Sequence, residues 1–366
     1  MGKSRIIPVT AAVLILSGCT DFYEVENLSD SIEPPVKPVQ NTMPEVKCVA
    51  DEIHDTEWYW IMCDAFKEGR KKAVVPVKVK NGDVKKALAV IDMDYPEIFW
   101  LGGTYYASTA TDGSEVSVDF LKDFDTDKIP EMLAELEDAA DKLIDGIPDG
   151  SSDYEKILYV HDYIAENTEY DYDGAEASEF GLWGSSYGCL VQGKAVCSGY
   201  AEAFQYIMNR LGIECGICTG SNHEWNYVKV DGEYYWTDIT WDDIGDSAGH
   251  TYLLFNTDQL LRTRTFMSVQ GNVPECTSLE RSYFMMNGGY FETYDEKAVI
   301  DYVNGCSGES QCEMMFGSFE AYEEAIINLI GCGEINKSEA VKSQGMKYVR
   351  NDDMFVLDIV FKGDSD

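Results

Sequence analysis

Apolar residues recur every three or four positions in several stretches of the chain and every second position in others, and the two periods predict helices and strands. From Ile129 the residues Met132, Leu133, Leu136, Ala140, Leu143 and Ile144 line one helical face, with Pro130 in the first turn and Gly146 beyond the end. Asp153 to Asn167 repeats the period through Ile157, Leu158, His161 and Ile164, with Asp153 as the expected cap. After Cys197 the same spacing runs through Tyr200, Ala203, Phe204, Ile207, Met208 and Leu211 and stops at Gly212. Ser318 to Ile330 carries a further stripe, Phe319, Tyr322, Ile326 and Leu329, before Gly331. Strands are predicted at Val74–Val79, an edge strand because of Pro76, and at Thr104–Ala110 and Glu115–Leu121 around the turn Asp112-Gly113. Asn81-Gly82 turns the chain into a helix over Val84–Ile91. Ile213, Cys215 and Ile217 alternate as in a strand, Tyr252–Phe255 reads as another, and Met354–Phe361 as the last. The mixture predicts an α+β fold, helices packed on an antiparallel sheet, with the Cys197 helix central and mixed regions at both ends.

One hairpin carries candidate chemistry. Glu224–Val230 and Glu233–Ile239 are rich in Val, Tyr, Trp and Ile, and Asp231-Gly232 between them signals a two-residue turn. That turn sets Val230 opposite Glu233 and Trp225 opposite Asp238. His223 and Asp238 are then diagonal neighbours on one face, within reach of a hydrogen bond that fixes the imidazole tautomer. Cys197, at a helix start followed by Ser198 and Gly199, is open to approach, and the helix dipole there favours a lowered thiol pKa. Of the other histidines, His161 lies on an otherwise apolar helix face, His250 follows the hairpin, and His54 has no partner pattern; each is expected to be structural.

The segment from Cys197 in GKAVCSGYAEAF to Asp238 in NHEWNYVKVDGEYYWTD resembles the transglutaminase-like superfamily, which includes bacterial members related to cysteine peptidases. The resemblance spans Asp153 to Gln259. It implies a papain- or transglutaminase-like core with Cys197 as nucleophile, His223 as general acid and base, and Asp238 as the residue that orients it. It also implies that Gln192, five residues before Cys197, is a weak candidate for an oxyanion donor beside the Cys197 backbone N–H. The implied reaction is acyl transfer through a thioester, with water or an amine as second acceptor, acting on peptide or protein amides, cell-wall peptide among them. It needs neither a metal nor an organic cofactor. Trp183, Tyr187, Trp225, Trp236 and Trp241 are candidates to line a substrate cleft. A binding protein that keeps the fold without turnover is the alternative.

The ends and the composition place the chain in context. Met1 to Gly18 has a basic start and an apolar run, and Leu16-Ser17-Gly18-Cys19 looks like a bacterial lipobox, so cleavage and lipidation at Cys19 are expected. That puts the protein outside the cytoplasm, tethered to the membrane. Residues 19–46, with Pro34, Pro35, Pro38 and Pro44, read as a linker, followed by an N-terminal α+β region at 47–150, the transglutaminase-like core at 151–262 and a C-terminal α+β region at 263–366. Acidic residues outnumber basic ones by 66 to 28 over 366 residues, a net charge of −38, which argues against nucleic acid as a partner. The 11 cysteines show no framework spacing. The lone pair Cys215 and Cys218 is expected to be buried strand residues or a disulfide rather than a metal site.

Overall fold

The structure, a computed structural model, describes residues 33–110, 112–220, 222–245 and 248–362. The lipobox and Cys19 lie outside them. The described residues form two compact units, one of residues 41–279 and one that combines residues 33–40 with residues 280–362. No helix among the described residues is long and apolar enough to cross a membrane.

The 41–279 unit is α+β. Its site-bearing sheet has four strands in the order Leu253–Phe255, Glu233–Thr237, His223–Val230 and Cys215–Gly220, all antiparallel. Both turn residues of the central hairpin take left-handed backbone angles, Asp231 at φ 52° and Gly232 at φ 91°, as a two-residue turn that follows the strand twist requires. The register is the one expected from that turn: Val230 faces Glu233 and Val228 faces Tyr235. The second strand ends at Thr237, earlier than Ile239, because a short helix, Ile239–Asp242, begins there.

Across this sheet lies the Cys197 helix, Cys197–Leu211, ended by Gly212 at φ 72°. Tyr200, Phe204, Ile207 and Met208 are buried on its inner side, and Trp225, Val228, Tyr235 and Trp236 are buried in the sheet. Full burial of side chains of this size contributes about 1.5–3 kcal/mol each. A buried amide adds direction to that packing: Asn226 Nδ2 donates to Ala201 O on the helix at 3.0 Å and to Gly216 O on the next strand at 3.3 Å. The helix Asp153–Asn167 packs alongside. Its cap is Ser152, not Asp153. Ser152 and Glu155 bond reciprocally as a capping box, which leaves Asp153 in the first turn.

Residues 47–150 belong to the same unit. A three-stranded antiparallel sheet, Lys72–Val75, Gly113–Phe120 and Leu101–Ala110, packs with the helices Glu57–Lys67, Asn81–Asp94 and Ile129–Asp145. Tyr187 from the core segment is buried in the same cluster.

The other unit has a four-stranded sheet in the order Tyr290–Phe291, Gln311–Phe316, Val356–Phe361 and Met346–Asn351. The expected stripe of Phe319, Tyr322, Ile326 and Leu329 is buried against it. Residues 33–40 form no helix or strand, and they are bonded into this unit: Arg350 donates to Glu33 O, the Val36 N–H donates to Asp352, and Lys37 pairs with Glu320.

Candidate active site

The Cys197 helix starts against the 183–185 loop. Val196, extended at φ −102° and ψ −179°, donates its N–H to Trp183 O at 2.9 Å, and Ser198 Oγ donates to Gly184 O at 2.9 Å. Gly199 makes this approach possible. A Cβ there would come within 2.8 Å of Ala195 Cβ and 2.9 Å of the carbonyl oxygens of Trp183 and Ser185. Cys197 itself is half-buried. Backbone N–H groups of Glu224 and Ser198 reach its sulfur, which places the thiol beside the first turn of its helix and next to the His223 strand.

His223 stands at the start of its strand and is buried. Its Nε2 lies 2.7 Å from Asp238 Oδ2. Asp238 has run off the end of the neighbouring strand. It occupies the cap position of the short helix but makes no capping bond, and its side chain turns to His223 instead. An ionised carboxylate accepts, so Nε2 donates, and the neutral ring then presents Nδ1 as its lone-pair atom. Nδ1 is buried and has no hydrogen-bond partner among the described residues. Trp241 stacks on the ring with centroids 5.4 Å apart and planes 29° apart, and Trp225 lies 6.1 Å away on a similar tilt.

Arg264 completes this group, and nothing in the sequence pattern singled it out. It caps the helix Thr257–Thr263, is 5% exposed, and bonds Asp238 Oδ2 through Nη1. Its guanidinium carbon lies 3.7 Å from the centre of the Trp241 ring. Burial alone would raise the Asp238 carboxyl. The positive charge and hydrogen bonds of His223 and Arg264 outweigh it and hold the carboxyl below its usual range.

The thiol shifts the other way from the expectation. Burial pushes Cys197 up to about 12, and the charges of Glu224 and Asp238 add to the rise. The two N–H groups favour a thiolate, but desolvation and acidic neighbours dominate. Burial also lifts the Glu224 carboxyl to about 8, with Asp92 contributing, and raises Glu202, which accepts the Ser186 N–H at 3.0 Å. Glu224 and Asp238 are the acidic neighbours that act on the thiol.

The remaining candidates divide. Trp183 and Trp241 are half-buried beside Cys197 and His223. Trp225 and Trp236 are at most 1% exposed and Tyr187 is buried, with its hydroxyl bonded to Glu135, so these three are core and not cleft residues. Gln192 is exposed and lines a separate cavity of about 580 Å³ with Tyr187, Lys122 and Phe180; neither Cys197 nor His223 lines it. Cys215 and Cys218 are free thiols on a strand, and Cys218 donates to Asn272 O. His54 bonds Asp94 at 2.6 Å.

Cys197 thus stands at a helix tip, and His223 and Asp238 are bonded to each other at the end of the adjoining hairpin. Residues 141–245 match the model of the transglutaminase-like superfamily, and this segment holds all three residues. The chain also resembles two solved structures. One is a TGase, at 16% identity, 46% of this chain and 50% of that one, with a TM-score of 0.27. The other is a protein from Cytophaga hutchinsonii assigned provisionally to the cysteine proteases, at 18% identity, 37% of this chain and 61% of that one, with a TM-score of 0.25. The chain thus spans half of one and about three fifths of the other. No curated protein matches the sequence.

Proposed function

We propose that the protein catalyses acyl transfer from a peptide or protein amide, with Cys197 as nucleophile, His223 as base and acid, and Asp238 as the residue that orients the imidazole. The observation that carries this reading is the 2.7 Å bond from His223 Nε2 to Asp238, which leaves Nδ1 as the ring atom that can accept a proton. With a thiol raised to about 12, Cys197 rests protonated, and its proton passes to His223 as sulfur attacks. The tetrahedral oxyanion forms next to the Cys197 backbone N–H; the amine leaves with the proton from His223. Water then resolves the thioester to give hydrolysis, and an amine gives transamidation.

The same raised thiol favours a second reading, a non-catalytic binding protein in which Cys197 is unreactive. Turnover of peptide and amine substrates by wild type and Cys197→Ala, together with iodoacetamide labelling, separates the two. Labelling of Cys197 that rises with pH and is lost in His223→Ala, with turnover abolished in Cys197→Ala, supports the enzyme. Labelling no faster than at the other cysteines and no turnover supports the binder. In either reading the lipobox tethers the protein to the membrane outside the cytoplasm. Incorporation of labelled fatty acid, lost in Cys19→Ala, tests that.

A further inference from the structure

A second group of chemistry-bearing side chains lies apart from the cysteine site and shares no residue with it. His161, on the helix Asp153–Asn167, is fully buried between two carboxylates, with Nδ1 2.9 Å from Asp162 Oδ1 and Nε2 3.2 Å from Asp242 Oδ2. His250 Nε2 lies 3.2 Å from the same Asp162 oxygen. The two imidazole rings stack with centroids 5.7 Å apart. One ligand atom from each of His161, Asp162 and His250 lies within 4.8 Å of the other two.

The arrangement calls for positive charge beside Asp162. Asp242 is 1% exposed, and both its oxygens accept the Tyr252 N–H, at 3.0 and 2.9 Å. It is held as an acceptor, so His161 Nε2 donates to it. His161 Nδ1 faces an Asp162 oxygen at 2.9 Å, where either a second ring proton or a metal ion supplies the positive charge between them. Two imidazole nitrogens and one carboxylate oxygen are the donor set of zinc and its neighbours, whereas calcium and magnesium prefer all-oxygen sites. Tetrahedral zinc with bonds of about 2.0–2.1 Å sets ligand atoms about 3.3 Å apart, near the 2.9 and 3.2 Å found here. Asp242 behind His161 supplies the carboxylate that orients a metal-bound imidazole.

We propose that His161 Nδ1, Asp162 Oδ1 and His250 Nε2 bind one divalent transition-metal ion of the zinc class, with Asp242 positioning His161. Asp162 is 34% exposed, and a solvent ligand completes the sphere from that side. The ion clasps the helix Asp153–Asn167 to the segment that follows Asp238, so it stiffens the support of the histidine–carboxylate pair without touching it.

The test is titration of the full-length protein with Co²⁺, followed by Zn²⁺ displacement. One cobalt per chain is expected, with visible d–d bands and no near-ultraviolet thiolate-to-cobalt band, and the thermal midpoint rises with metal. His250→Ala and the milder Asp162→Asn should each abolish saturable binding and the metal-dependent rise. Absence of saturable cobalt binding by wild type overturns the proposal and leaves His161 as an imidazolium between two carboxylates. A dominant thiolate band, or undiminished binding by a folded Asp162→Asn, overturns it equally.

Discussion

Arg264 donates to the same Asp238 oxygen that accepts the hydrogen bond from His223 Nε2, so one carboxylate oxygen serves both a guanidinium and an imidazole. The guanidinium is 26 residues from Asp238, buried, and stacked on Trp241. Breaking a buried ion pair by removing one partner costs about 3–5 kcal/mol, because the remaining charge is left uncompensated. Arg264→Gln is therefore expected to lower the unfolding midpoint sharply and to raise the Asp238 carboxyl. Denaturant unfolding at several pH values checks both: the loss should shrink as Asp238 becomes protonated at acid pH.

Asp238→Asn tests orientation of the ring. An amide in that place can donate to Nε2 and so stabilises the tautomer with its proton on Nδ1, which cannot accept from the thiol. Turnover should fall by about 10⁴-fold, the loss found when a buried aspartate behind a catalytic histidine is replaced in this way. Substrate binding, measured with Cys197→Ala as background, should change far less.

Gly199→Ala reverses the usual helix rule. Glycine to alanine inside a helix ordinarily stabilises by up to about 1 kcal/mol. Here the added Cβ would meet Ala195 Cβ at 2.8 Å and two loop carbonyls at 2.9 Å. The variant should be less stable than wild type, and displacement of the helix tip should slow alkylation of Cys197. Mass-spectrometric labelling rates, normalised to another cysteine, report the second effect.

Glu224 gives a pH dependence whose sign is fixed. Its carboxyl is raised from 4.5 to about 8 by burial and by Asp92. Between those values the folded chain holds a proton that the unfolded chain has released, so the contribution is complete below about 4.5 and is lost as pH rises through about 8. Glu224→Gln keeps the shape without the ionisation. It should unfold with wild type at low pH and at a higher temperature above about pH 8, as midpoints measured across that range will show. The residue is half-buried, so solvent screening trims the difference.

Much of the site could be read from local pattern. The dipeptide Asp231-Gly232 fixes a turn, the turn fixes the register, and the register brings His223 to Asp238; the Cys197 helix is marked by its stripe and by Gly212. What escaped depends on contacts distant in sequence. Arg264 follows a short helix with no periodic cue. Burial of the thiol depends on the 183–185 loop and on Glu224, a strand residue whose neighbours cannot be known before the fold is. Trp225 and Trp241 look alike in sequence and both stack on the imidazole, yet one is fully buried and the other half-buried. Other misses were legible. Ser152 with Glu155 three positions on is a capping-box signature, and Tyr59, Met62, Cys63 and Phe66 form a helical stripe within Glu57–Lys67 that went unread.

The bonds from Glu33, Val36 and Lys37 to Arg350, Asp352 and Glu320 join the two ends of the polypeptide in one unit. During synthesis the first of these partners waits through more than three hundred residues for the second. The 41–279 body can fold while the ribosome is still at work. The second body forms only once the strand Val356–Phe361, which lies between two others in its sheet, has left the ribosome, and a stop codon ahead of that strand would leave it unassembled.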